Sequence, residues 1–442
     1  MHGRLPPAKG VKVGPSGSTR VVPREDPVPW DGVYFFGFLE FAADWGERSV
    51  MRSFVSSVLR ELRPSGIRRF FDLISQTEGV ISLGVGEPDY VTPPSIRQAC
   101  ISALEAGRTK YTSNCGISDL RREIASYLAS RFGLSYDEKE IIVTVGVSEA
   151  VDLALRAIID PGDEILIGEP CYVSYAPCTA LAGGKPVFVP TRVEDQFRLR
   201  KKEIISRITE KTKAILLSYP NNPTGAIMEK EDLEEIAQVA RNYDLLVISD
   251  EIYAELTYEG EHVSIASLPG MKERTVLLNG FSKSFAMTGW RVGYAAGPSE
   301  IIEAMLKIHQ YTMLCAPSIS QWAALYALRE ASQFIEEMVA EYDRRRKLIV
   351  NGLREIGLPC FEPKGAFYVF PSIKHTGMSS EEFCESLLME QKVAVVPGSA
   401  FGPSGEGYVR CCYAASYSEI EEALERIDRF LRHHQLPRVA MV

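Results

Sequence analysis

Little in this sequence has the spacing of a metal site or a disulfide framework. Its nine cysteines are an odd number with no C-x-x-C pair, and its six histidines show no ligand spacing beyond an adjacent pair at His433 and His434. That cysteine usage fits a reducing cytoplasm, the expected location. No run approaches the ~18 uninterrupted apolar residues a membrane span needs. A net charge of −9 over 442 residues leaves no basic footprint for nucleic acid. Internal repeats and low-complexity arrays are absent, and residues 1–50 lack the basic stretch followed by an apolar core that marks a signal peptide.

What remains is a long chain, 45% hydrophobic and 24% charged, able to bury one large core and a second smaller one. Six prolines and four glycines among residues 1–30 predict an irregular lead. An aromatic run from Tyr34 to Trp45 reads as a docking segment, and Met51 opens what looks like an ordinary start of a globular protein. Residues 1–50 are therefore read as an extension or as a misplaced start. Helical spacing follows from Ser53 to Ile74, broken at Pro64 and Gly66, with its basic side chains on a solvated face. The glycines of Leu83-Gly84-Val85-Gly86 resemble a dinucleotide fingerprint, but the third glycine is missing, proline follows, and no strand is expected before them.

After Pro94 the pattern alternates between helix and strand, the signature of a mostly parallel, helix-flanked sheet. Strands are expected at 141–145, 164–167, 186–189, 214–218, 245–249, 276–278 and 292–296, with a helix beginning at Glu149 and long helical patterns over 321–353. From Phe361 onward short strands, turns and a final amphipathic helix replace that pattern. The fold class is α/β, with a large domain over 93–329, a smaller α/β domain built from 51–92 and 330–434, and a tail over 435–442.

Lys283 lies between two apolar runs that read as core strands, so it leaves the sheet edge pointing into a cleft. There desolvation favours a neutral, nucleophilic amine. Ligands in open α/β sheets gather beyond the carboxyl ends of strands, and Asn222, Asp250 and Tyr253 fall on that same edge. Gly146-Val147-Ser148, between a strand and a helix, forms a phosphate seat because free N–H groups and the helix dipole point there. An imine-forming lysine, a phosphate seat, a carboxylate, a tyrosine and an asparagine together suit pyridoxal 5'-phosphate. A carboxylate such as Asp250 keeps the pyridine nitrogen protonated, while Asn222 and Tyr253 hydrogen-bond the ring's phenolic oxygen.

The motifs GEPDY (86–90), NNPTG (221–225), DEIY (250–253) and FSKSFAMTGWRVGY (281–294), with Arg410 in GYVRCCYAAS, closely resemble the class I aminotransferases of pyridoxal-phosphate fold type I. The resemblance spans roughly 51–431 in order and spacing. It implies that Lys283 carries the cofactor and moves protons, that Ser282 and Arg291 hold its phosphate, and that Tyr172 stacks on its ring. It further implies that Tyr111 reaches the phosphate of a neighbouring subunit in a homodimer with shared sites, and that Arg410, with the backbone at Val85 and Gly86, holds the substrate carboxylate. The implied reaction moves an amino group between an L-amino acid and a 2-oxo acid by ping-pong kinetics. A β-elimination lyase of sulfur amino acids shares nearly all these motifs, and a non-catalytic pyridoxal-phosphate sensor is the reading from a different class. One departure is Gly280, where many relatives have a serine three residues before the lysine.

Overall fold

The computed structural model describes residues 54–62 and 77–435. The expectations placed on residues 1–50, on most of the helical pattern after Ser53 and on the tail lie outside the described residues. From Val55 on, the described residues form one compact unit.

Its first strand, β1 (Ile81–Ser82), corrects the expectation that none precedes the glycines at 84 and 86. Two residues give no periodicity to read; they become a strand by pairing in parallel with β10 (Val393–Ala394), more than 300 residues later. No helix follows directly, since the chain runs irregularly to the helix Pro94–Glu105, so the dinucleotide reading stays excluded.

The large sheet takes β2 (Ile141–Thr144), β3 (Glu164–Glu169), β4 (Lys185–Pro190), β5 (Thr212–Ser218), β6 (Leu246–Asp250), β7 (Thr275–Gly280) and β8 (Gly293–Ala296). Their order is β2-β8-β7-β6-β5-β3-β4, parallel except that β8 runs against both of its neighbours. β2 and β7 are buried along their whole length, as strands covered on both faces must be. On one face the helices Gly146–Ile158 and Ser299–Thr312 close the core through Ala150, Leu153, Ile302 and Met305. The other face carries the helices Ser118–Phe132 and Ser318–Glu330 through Ile124, Leu128, Ala323 and Ala327.

Two boundaries differ from the pattern reading. The helix expected from Glu149 begins at Gly146, because Gly146 takes φ +73°, a left-handed conformation that lets the chain turn from strand into helix at once. The helical pattern over 321–353 is two helices, Ser318–Glu330 and Ser332–Glu355, interrupted at Ala331.

The C-terminal elements add a three-stranded antiparallel sheet of β9 (Tyr368–Val369), β11 (Val396–Pro397) and β12 (Val409–Cys412), in the order β11-β12-β9. Ile81 and Leu83 share their core with Leu387 and Ile427 of the helices Ser380–Gln391 and Tyr417–His433. The same core takes in Tyr253 and Leu256, from the segment that follows β6. That continuity puts β9 and β12 beside the carboxyl ends of β5, β6 and β7.

Candidate active site

A cleft of about 400 Å³ lies where these elements meet, within the ordinary range for small-molecule sites. Lys283 follows the end of β7 and reaches into it. Its Nζ donates to the Gly86 carbonyl at 2.6 Å and stands 5.9 Å from the centre of the Tyr253 ring. Burial pushes the amine down to about 8; Cys412 and Glu87 oppose this, while Arg410 and Arg291 push the same way. The charged form loses hydration in the cleft, and no carboxylate among the described residues stands within ion-pair distance of it, so burial outweighs the pull of Glu87.

Asp250, the last residue of β6, is 5% exposed. Tyr175 donates its hydroxyl to Oδ2 at 2.8 Å, and the Ile252 N–H donates to Oδ1 at 3.1 Å. Burial raises the carboxyl to about 6, against the lowering effect of both hydrogen bonds. It is therefore mainly ionised at neutral pH and fixed in place from both sides.

Arg410 enters from β12. Nη1 donates to Asn222 Oδ1 at 2.9 Å and Nη2 to the Gly84 carbonyl at 2.6 Å, while the buried Nε has no partner among the described residues. The guanidinium lies 4.5 Å from the Tyr368 ring centre and 4.9 Å from that of Phe401. A buried cation with no carboxylate on it and an unused donor suits an incoming carboxylate, because fork-shaped donors bind that group in pairs. Asn222 gives its oxygen to Arg410, which leaves its amide nitrogen as a donor.

At the other end, the helix Gly146–Ile158 starts with no side chain capping its first N–H groups. Arg291, at φ +50°, donates from Nη1 to the Thr288 carbonyl at 2.9 Å and packs so closely that a Cβ on Gly146 would lie 2.6 Å from Nη2. Val147, Ser148, Ser282 and Thr288 complete that end. Open N–H groups, a helix N-terminus and an arginine are the elements of an anion seat.

Residues 78–427 match the family described as aminotransferase class I and II. The chain belongs to that family. This aminotransferase is 57% identical to a putative aminotransferase of Bacillus subtilis (strain 168), over 86% of this chain and 99% of the relative. It is 51% identical to an aspartate aminotransferase of Pyrococcus abyssi, again over 86% and 99%. Among solved structures, an aromatic aminotransferase from Pyrococcus horikoshii OT3 superposes with a TM-score of 0.80 at 50% identity, covering 83% of this chain and all of that one.

The residues singled out in the sequence divide into two groups. Lys283, Asp250, Tyr253, Asn222, Arg291, Arg410, Val147, Ser148, Tyr172, Ser282 and Gly86 line the cleft of this aminotransferase; Val85 and Tyr111 do not. Val85 is 38% exposed, and the carbonyls of its neighbours Gly84 and Gly86 face inward instead. Tyr111 is 82% exposed, outside the cleft. Six lining residues were not singled out in the sequence: Val151, Tyr175, Ser218, Ile252, Thr288 and Tyr368. Tyr368 sits opposite Cys412 in the β9–β12 ladder, two positions beyond Arg410 and so on its side of the strand, a signal that appears only once the pairing is known.

Gly280 has a packing reason. It pairs with Gly293 across β7 and β8, and a Cβ there would lie 2.9 Å from the Gly293 Cα and 3.2 Å from Val147 Cγ2. Gly280→Ser is expected to cost about 1–3 kcal/mol of stability by overpacking. Urea unfolding measures this, and a midpoint equal to wild type would show that the strands yield.

Proposed function

We propose that this aminotransferase holds pyridoxal 5'-phosphate in the cleft and moves an amino group between an L-amino acid and a 2-oxo acid in two ping-pong half-reactions. The observation that carries this reading is the convergence in one cleft of a buried amine at about 8, a fixed carboxylate, and an arginine with a buried, unpartnered Nε. The donor set fits the cofactor: the uncapped helix N-terminus with Arg291 and Ser282 suits its phosphate, Asp250 its ring nitrogen, and the face of Tyr172 its ring. When bound, the cofactor supplies an aldehyde for amines and an electron-withdrawing ring.

The chain's residues then have separate tasks. Lys283 Nζ would hold the cofactor, take the substrate's α-proton as base and, as acid, deliver it to the cofactor and not to the α-carbon it came from. Arg410 binds the α-carboxylate and thereby orients the α-hydrogen toward Lys283. Asn222 and Tyr253 would donate to the cofactor's phenolic oxygen. Tyr111, well exposed on this chain, is assigned to the phosphate of a partner subunit, making the enzyme a cytoplasmic homodimer with shared sites. Among the described residues, no helix is long and apolar enough to cross a membrane.

A panel of amino acids with the purified enzyme, followed by absorbance and by oxo-acid product, tests the reaction and identifies the side chains accepted. Release of ammonia without stoichiometric use of an oxo acid would replace transfer by elimination. The Lys283 amine gives a second check. A neutral amine is needed to capture an aldehyde, and the depressed value means the neutral form grows as pH rises through about 8. Capture of pyridoxal phosphate by the cofactor-free protein should therefore accelerate through that pH and level off above it; a midpoint near the ordinary lysine value would refute the shift.

A further inference from the structure

Tyr253 and Tyr368 are separated by 115 positions, yet their hydroxyls stand 2.7 Å apart in a buried setting. Their rings meet edge to face at 5.7 Å, and Tyr368 is fully buried. The Tyr368 ring also underlies Arg410. Its hydroxyl lies close against Gly86, where a Cβ would come 2.5 Å from it. One phenol thus touches the tyrosine assigned to the cofactor, the arginine assigned to the substrate and the glycine whose carbonyl meets Lys283.

Resting on the reading of this cleft as a pyridoxal-phosphate site, we infer that Tyr368 is a positioning residue with two separable parts. Its hydroxyl donates to Tyr253, and its ring holds Arg410 in plane.

Two phenols share one hydrogen bond, so one donates and the other accepts. For Tyr253 to spend its proton on an oxygen in the cleft, Tyr368 must be the donor within the pair. A phenol that accepts a hydrogen bond becomes a stronger donor to the next acceptor, and the effect grows where water is excluded. The charged and titratable groups around the pair are Arg410, Cys412, Lys283 and Tyr172. Burial raises both phenols out of the working range, so they act as hydrogen-bonding groups and not as acids. The ring has a different task. Arg410 is anchored by Asn222 and Gly84 at its two Nη atoms, and the rings of Tyr368 and Phe401 add cation–π contacts that restrict its tilt.

The test is a pH titration of the visible absorption band of the holoenzyme, which needs no turnover. Donors to the phenolic oxygen stabilise the negative charge left when the proton shared with the Lys283 nitrogen departs, so losing a donor moves the titration upward. Tyr253→Phe should give a large upward shift and Tyr368→Phe a smaller one, about half a unit if the second phenol strengthens the first bond by the usual cooperative fraction. The Tyr253→Phe, Tyr368→Phe double variant should titrate with the Tyr253→Phe single variant. A wild-type titration in Tyr368→Phe beside a shifted Tyr253→Phe overturns this inference alone, as does a Tyr368→Phe shift that persists undiminished in the double variant. Wild-type titrations in both single variants overturn the reading of the site as well. For the ring, KM of the amino acid that reacts fastest should rise about tenfold in Tyr368→Leu and stay unchanged in Tyr368→Phe; an equal KM in both variants would remove the ring's part.

Discussion

Lys283→Ala is expected to leave a folded protein and to slow amino transfer by about 10⁴-fold or more, the upper end of what a positioned acid–base group contributes. The fold should survive because the Lys283 side chain lines the cleft and joins no hydrophobic core, and its hydrogen bond goes to the Gly86 carbonyl, which faces the same cleft. The reaction should fail because no other amine lines the cleft among the described residues, and the guanidinium groups of Arg291 and Arg410 offer donors with no acceptor to take a proton. Lys283→Arg separates charge from proton transfer. It restores a cation of similar reach but cannot yield a neutral base, so it should be as inactive as the alanine variant. Single-turnover rates with circular dichroism as the fold control measure both. A rate within tenfold of wild type in either variant would refute Lys283 as the proton carrier.

Much of this site was legible in the sequence because its chemistry sits where hydrophobic runs stop. Asp250 ends one buried parallel strand and Lys283 follows another, and the carboxyl ends of such strands are where ligands of open α/β sheets gather. The strand-to-helix turn at Gly146–Ser148 was legible for the same reason, although the helix starts three residues earlier than its apolar period suggests. The rest depended on pairings that no local pattern carries. β1 exists only through β10, and Tyr368 reaches Tyr253 only because β9 pairs with β12. Tyr175 opens a short helix and reads as an ordinary core tyrosine until Asp250 is placed beside it. The carbonyls of Gly84 and Gly86 carry no side-chain signal at all, yet they anchor Arg410 and Lys283.

Asp250→Asn isolates the charge at the base of the cleft from the shape around it. Asparagine has nearly the same outline; its oxygen can accept the Ile252 N–H, and its nitrogen can donate to the Tyr175 hydroxyl, so the backbone and the tyrosine should keep their places. On the proposed reading, what would disappear is the anion that would keep the cofactor's ring nitrogen protonated, and with it the electron demand that would stabilise charge developing on the α-carbon. Losing one preorganised electrostatic partner of a transition state typically costs about 10²–10³ in kcat, and that is the expected loss, with KM changing little because Arg410 still binds the carboxylate. The pH profile adds an independent sign. Burial raises Asp250 to about 6, so in the wild type the group is ionised above that value and neutral below it. The wild-type rate should therefore fall as pH drops through about 6 if binding of the cofactor leaves that value in place, and this acid limb should be missing from Asp250→Asn, whose residual rate has no carboxylate to titrate. Steady-state rates from pH 5 to 8 on both proteins, with cofactor occupancy checked at each pH, read the comparison. An Asp250→Asn enzyme that keeps both its rate and its acid limb would mean that another group supplies the charge, and Asp250 would then be a structural acid buried at the end of β6.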